Sequence, residues 1–175
     1  MREDAVGVET MNLTEFMRED LVFLNISARD KTDLFKKIVD YMAERQIIEH
    51  PRAFLDELIQ REMQAPTYIG RGIAMPHTRT IFVSRPIIAF ARLTPPLCFG
   101  NDAADVVELV FLMGTPKEDP DTYLRILGHL CKNLRETHFR KSLLAAQSTH
   151  KVLELLAHDN PPGPNDPPCD YHLNH

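Results

Sequence analysis

An α/β fold with a mixed central sheet flanked by helices is predicted for this 175-residue chain by three observations. Short apolar runs of strand length occupy residues 21–26, 87–91 and 106–112. Apolar residues at helical spacing form stripes over 31–45 and from Pro51 to Glu62, between the first two of those runs. From about Asp121 to Ala157 the pattern is helical alone, so helices alternate with strands early and cluster late.

Taken in order, residues 1–11 carry little apolar content and read as a flexible N-terminus. Asn12 or Thr14 opens a short helix-like piece over 13–17, ahead of the strand at 21–26. Cap-type residues between Ser27 and Asp33 precede Leu34, Phe35, Ile38, Val39 and Met42, whose recurrence predicts a helix from about Lys31 to Arg45. Pro51 suits a first helical turn, where its missing N–H leaves no bond unmade. Phe54, Leu55, Leu58 and Ile59 continue that helix to Glu62, with Arg61 near its end. Two central strands follow at 87–91 and 106–112, separated by the turn-rich Thr94-Pro95-Pro96 and Gly100-Asn101-Asp102. After a loop over 114–120, Asp121 or Thr122 caps a helix that turns Leu124, Leu127 and Leu130 to the core and runs to about Leu134. Helices over 137–146 and 149–157 complete a domain at 12–158. Residues 159–175, rich in proline, read as a tail or a linker, which leaves both a loose end and a larger parent protein open.

Hydrophobic residues make up 43% of the chain, enough for one sizeable core. A net charge of -5 without any lysine or arginine block argues against a nucleic-acid partner and points to protein or small-molecule partners. The three cysteines, Cys98, Cys131 and Cys169, show no CxxC spacing, which fits a reducing compartment, the cytoplasm. Cys98 and Cys131 lie in apolar stretches and are expected to be packed. No apolar run approaches the roughly 18 residues of a membrane span, so no direct membrane insertion is expected.

The segment 61–79, REMQAPTYIGRGIAMPHTR, is the most specific feature. Gly70 and Gly72 allow a turn, Ile73-Ala74-Met75 is a short buried run, and Pro76 cannot donate to a central ladder, so His77 is expected at a strand edge. An imidazole near neutral pH is a nucleophile able to carry a covalent intermediate, and guanidinium groups at Arg61, Arg71 and Arg79 can neutralise a phosphoryl group. Phosphoryl relay is the chemistry this implies. Taken alone, Arg61 reads first as a cation on the last carbonyls of its helix. Neither a P-loop nor a GxGxxG motif is present, nor a GxSxG or SxxK nucleophile. The other histidines, including His50 and His129, form no HExxH or compact ligand pair, so no metal and no cofactor are assigned.

Arg61-Glu62, Pro66-Thr67, Gly70, Gly72-Ile73-Ala74 and Pro76-His77, with Leu97-Cys98-Phe99-Gly100 and the run 143–148, resemble the enzyme IIA signature of the bacterial phosphotransferase system, fructose/mannitol/nitrogen-regulatory type. The resemblance spans about residues 13–157, and its last segment leans to the nitrogen branch. It implies that His77 accepts phosphate on Nε2 from an HPr-like phosphocarrier and passes it to an enzyme IIB or holds it as a signal. It further implies that Arg61 and Thr67 bind phosphate, with Glu62 and Tyr123 as site neighbours; Thr67 donates to His77 or its phosphate or else stabilises a turn, and Glu62 orients Arg61 or is merely exposed. Arg71 and Arg79 are expected to shape the docking surface, and Ile69, Ile73 and Met75 to form its apolar part or else lie in the core. The family pattern has a second histidine where this chain has Tyr123, whose phenol donates a hydrogen bond but carries no positive charge. His129, six residues on, faces another side of the helix. The alternative implied is a non-catalytic regulatory domain of a transporter or kinase that retains the enzyme IIA fold.

Overall fold

The computed structural model describes residues 11–158; the expectations for 1–10 and for the tail 159–175 fall outside them. A 3-10 turn, Leu13–Phe16, capped by the Asn12 side chain, leads into β1 (Met17–Ile26), which begins earlier than its apolar run. Then come α1 (Lys31–Glu44), α2 (Pro51–Gln64), β2 (Tyr68–Gly70), β3 (Ile73–Ala74), β4 (His77–Thr80), β5 (Ile87–Cys98) and β6 (Val106–Pro116). Three helices close the fold: α3 (Pro120–Leu134), α4 (Thr137–Ala145) and α5 (Thr149–Ala157). The expected mixed sheet is present. Its order is β1-β5-β6-β3-β2, with β4 also on β6. β1 runs parallel to β5, β5 antiparallel to β6, and both β3 and β4 parallel to β6.

Alternation along β5 and β6 sorts the core onto two faces. Ile88, Phe90, Leu109, Phe111 and Met113 pack with Ile126 and Leu130 of α3, Phe139 and Leu143 of α4, and Val152 and Leu156 of α5. Ala89, Ala91, Val110 and Leu112 face Leu34, Phe35 and Ile38 of α1 and Phe54 and Leu58 of α2. Both faces being covered, the two strands read as unbroken apolar runs rather than alternating ones.

Two expectations fail for identifiable reasons. Thr94-Pro95-Pro96 is not a turn between strands; β5 continues through it to Cys98. The pairing of β5 with β6 shifts register between Arg92 and Leu97, so the prolines sit where no ladder bond is required of them. In α3 the cap is Asp119, whose carboxylate accepts from the Thr122 N–H at 3.1 Å, with Pro120 in the first turn. Its buried stripe is Ile126, Leu127, Leu130, Cys131 and Leu134, while Leu124 is 48% exposed because it lies about 200° around the helix from Ile126.

Arg92 joins the layers. Its guanidinium donates to the carbonyls of Leu24 in β1 and of Leu143, Leu144 and Ala146 at the end of α4, at 2.7 to 3.2 Å. These otherwise orphaned helix-end carbonyls are thereby satisfied.

On the opposite face α2 lies close to β6 because Gly114 has no side chain: a Cβ there would stand 2.7 Å from the Phe54 ring. Gly114→Ala is therefore expected to lower stability by about 1–3 kcal/mol through overpacking. Urea denaturation checks this as a reduced midpoint at constant slope.

Candidate functional site

The site begins at a hairpin. Gly70 pairs with Ile73 across the two-residue turn Arg71-Gly72, whose φ values of 57° and 77° are those of a type I′ turn. Glycine at 72 takes the positive φ without cost, whereas Arg71 holds it as a non-glycine residue. The Arg71 guanidinium donates to the Arg135 carbonyl, so it braces the hairpin against the end of α3.

β3 is buried against β6, with Ile73 opposite Leu109. Pro76 then interrupts the strand, and its carbonyl accepts from Met113 N–H at 2.9 Å. Past this break β4 resumes beside β6, with His77 opposite Met113 and its other edge unpaired among the described strands, the edge position expected.

His77 is only 4% exposed; its ring closes the inner end of a cavity rather than standing in open solvent. Nδ1 lies 2.7 Å from the Met75 carbonyl oxygen. A carbonyl only accepts, so Nδ1 carries the proton and the lone pair of the neutral ring resides on Nε2. Burial pushes the pKa of His77 down to about 4; the Met75 bond raises it, the Arg61 charge lowers it further, and Glu62 raises it. The ring is thus neutral at physiological pH.

The cavity above His77, about 410 Å3, is lined also by Glu57 and Arg61 of α2, Arg79 of β4, Lys117 and Tyr123. Three cations face one carboxylate. Arg61 donates through Nη1 to the Ala65 carbonyl at 2.9 Å, so it caps its helix and borders the same cavity as His77. The Tyr123 ring centre lies 5.4 Å from that of His77. Burial raises the phenol pKa, against the lowering by Arg61 and Arg79, so Tyr123 stays neutral at physiological pH. A larger cavity, about 710 Å3, lies around Arg18, His50 and Phe82 and shares no residue with this one.

Thr67, expected on the phosphate, is instead buried behind the site. Its hydroxyl donates to Glu62 Oε2 at 2.6 Å, and it does not line the cavity. Glu62 is neither exposed nor paired with Arg61: it is 4% exposed and accepts from Thr67 N–H and from Lys31 Nζ at 3.0 Å. Lys31 donates also to the Phe99 carbonyl. The Thr67 carbonyl in turn accepts from the Met75 N–H at 3.0 Å. A chain of bonds therefore runs from α1 and α2 through Glu62, Thr67 and Met75 to the imidazole.

Lys31, the Met75 carbonyl, Glu57 and Lys117 have no local signal in the sequence. Arg79 does, because strand alternation puts positions 77 and 79 on one side of β4. Ile73 and Met75 are core, which closes the docking role considered for them, and Ile69 packs against the same core. Cys98 is exposed, contrary to expectation, while Cys131 is buried. Among the described residues no group of three or more His, Cys, Asp or Glu stands ready for a metal, and no helix is long and apolar enough to cross a membrane.

Fold and pocket together define a class: an α/β domain that presents one neutral imidazole to a cluster of cations. The model of the phosphoenolpyruvate-dependent sugar phosphotransferase system EIIA 2 family matches residues 15–159, and the chain belongs to that family. It is 32% identical over 138 residues to a fructose-specific EIIA component of Haloferax volcanii, covering 79% of this chain and 90% of that protein. It is 29% identical over 146 residues to the fructose-specific EIIABC component of Bacillus subtilis, covering 83% of this chain but only 23% of that longer protein. In fold it resembles the nitrogen regulatory protein IIA-Ntr of Neisseria meningitidis, with a TM-score of 0.74 at 23% identity over 82% of this chain and 98% of that one.

A buried neutral histidine destabilises the fold in acid. Its folded pKa of about 4 lies below the ordinary 6.5, so the unfolded chain binds the extra proton first as pH falls. Stability is full above 6.5 and falls by about 3 kcal/mol on acidification to pH 4 from this group alone. NMR titration of the His77 ring is expected to give a midpoint near 4, and His77→Asn to flatten that part of the denaturation profile.

Proposed function

We propose that this chain is a phosphohistidine carrier, with Nε2 of His77 as the accepting atom. The observation that carries the proposal is the 2.7 Å bond between Nδ1 and the Met75 carbonyl, which directs the ring's one lone pair at Nε2 beside Arg61. In the transfer, that lone pair forms the new P–N bond while the donor imidazole takes back the electrons of its own P–N bond. The proton stays on Nδ1 throughout. The phosphorylated ring gains positive character there, and the bond to Met75 becomes charge-assisted and stronger. Arg61 supports the equatorial phosphoryl oxygens, because a guanidinium fork suits two oxygens where an ammonium offers a point charge.

Donor and acceptor are both proteins in this reading: an HPr-like phosphocarrier on one side, an enzyme IIB or a regulated transporter or kinase on the other. A IIA mannitol protein of Escherichia coli forms a complex with phosphorylated enzyme IIB mannitol, and it shares this fold at a TM-score of 0.68 and 23% identity. An exposed apolar side chain beside a cavity residue supplies a docking rim: Leu124, 48% exposed, follows Tyr123. This rim takes over the docking role considered for Ile69, Ile73 and Met75.

A second reading, a regulatory domain that holds phosphate or only the fold, is favoured by one observation. Tyr123 stands over His77 where the resemblance implies a second imidazole, and its neutral phenol supplies no charge.

Incubation with phosphoenolpyruvate, enzyme I and HPr separates the two. An acid-labile phosphate on the wild type, lost in His77→Ala and formed roughly 100-fold more slowly in Arg61→Ala, is the expected result. No phosphate on the wild type from any cognate carrier supports the regulatory domain. Leu124→Glu is expected to slow acceptance from HPr while leaving phosphorylation by the small donor phosphoramidate unchanged, read by mass spectrometry against time.

A further inference from the structure

The carrier reading leaves a charge unaccounted for. A phosphoryl group on His77 brings nearly two negative charges into a cavity where, among the described residues, the cation whose charge acts on the ring is Arg61, one arm of which is bound to the Ala65 carbonyl. Tyr123 is the nearest aromatic partner of the ring, and a phenol contributes a hydrogen bond and no charge. Neutralisation has to come from elsewhere in the cavity.

Two further cations reach the cavity from elements other than α2. Arg79 shares the His77 face of β4, about 7 Å further along at two residues' rise, which is the span of a phosphoryl group and its hydrogen bonds. Its guanidinium is held from two directions: Nη2 donates to the Lys117 carbonyl at 2.9 Å, and its central carbon lies 5.9 Å from the Tyr123 ring centre. Lys117 is fixed in turn, because its N–H donates to the Thr80 carbonyl at 3.0 Å where β4 and β6 run side by side. Arg61 and Arg79 both act on the Tyr123 phenol, and of the two only Arg61 acts on His77. Arg61, whose charge acts on the imidazole, is therefore the inner cation, and Arg79, against the Tyr123 ring, the outer one.

We propose that Arg79, braced by the Lys117 backbone and joined by the Lys117 ammonium, is a second phosphate-binding group of this site, supplying the positive charge that Tyr123 cannot. Resting on the carrier reading, it gives Arg79 a role in the transfer beyond a place on the docking surface. During transfer Arg79 faces the phosphoryl oxygens on the side away from α2, while Arg61 holds the side nearest the ring. No proton moves through Arg79, since a guanidinium stays charged at every pH of interest.

The test uses the intact chain and two donors, HPr charged from phosphoenolpyruvate and enzyme I, and the small donor phosphoramidate, which needs no docking. Arg79→Gln is expected to slow phosphorylation by both donors at least about tenfold, Lys117→Met to slow it less, and Arg79→Lys to restore most of the rate. A binding readout accompanies the rates. Inorganic phosphate titrated against the wild type is expected to shift the His77 ring resonances, with an affinity weakened about fivefold or more in Arg79→Gln. Circular dichroism and the urea midpoint of Arg79→Gln are expected to match the wild type, because the side chain is exposed.

If the wild type is phosphorylated by HPr and Arg79→Gln matches it within about twofold with both donors, the inference falls and the carrier reading stands. Slowing with HPr but not with phosphoramidate also overturns it, since Arg79 would then serve docking alone. A wild type that takes phosphate from neither donor overturns both.

Discussion

One hydrogen bond, from His77 Nδ1 to the carbonyl of Met75 two residues back, governs how the imidazole is presented. It sets the tautomer, turns Nε2 towards the cavity, and does so with backbone, the least mobile partner available. Its geometry depends on everything beneath it. Met75 is held by the Thr67 carbonyl, Thr67 by the buried Glu62, and Glu62 by Lys31 from the neighbouring helix. A buried carboxylate is tolerable in this place because a lysine ammonium, a threonine hydroxyl and an amide N–H all serve it. The chain has two consequences: it anchors the end of α2, and so Arg61, and it aims the imidazole.

The sheet supplies the second constraint. β6 is buried on both faces and borders β5 on one edge, while β3 and β4 share its other edge on either side of Pro76. The proline break lets the chain change from a core strand to a site strand without leaving the sheet. Small residues on the α2 side, Ala89, Ala91 and Gly114, let the helix lie close, which brings the end of α2 to the level of β4. Arg61 and His77 thus meet because of a glycine 37 residues after the histidine.

Electrostatics in the cavity are uneven by design of the fold rather than of any one motif. Burial keeps His77 unprotonated and Tyr123 un-ionised, so the two rings meet as neutral surfaces under a rim of charge. The cations come from three elements, α2, β4 and the segment after β6, and only in the folded chain do they converge. Under the carrier reading, an incoming dianion finds its countercharges in place and its nucleophile uncharged.

Periodicity was enough to determine the class, most helices and the two central strands, because an amphipathic stripe and a doubly buried run are local consequences of which faces must leave water. The signature around His77 determined the family and the accepting histidine as expectations, since each of its residue types answers to a local backbone or chemical need. Neighbours were another matter. Thr67 and Glu62 stand beside the signature's arginine in sequence yet turn inward to Lys31, and Arg79 and Lys117, 38 residues apart, close the cavity instead. No window of sequence contains such pairs: their meeting is settled by strand register and helix packing, which bring side chains together from distances along the chain that local propensity does not sense.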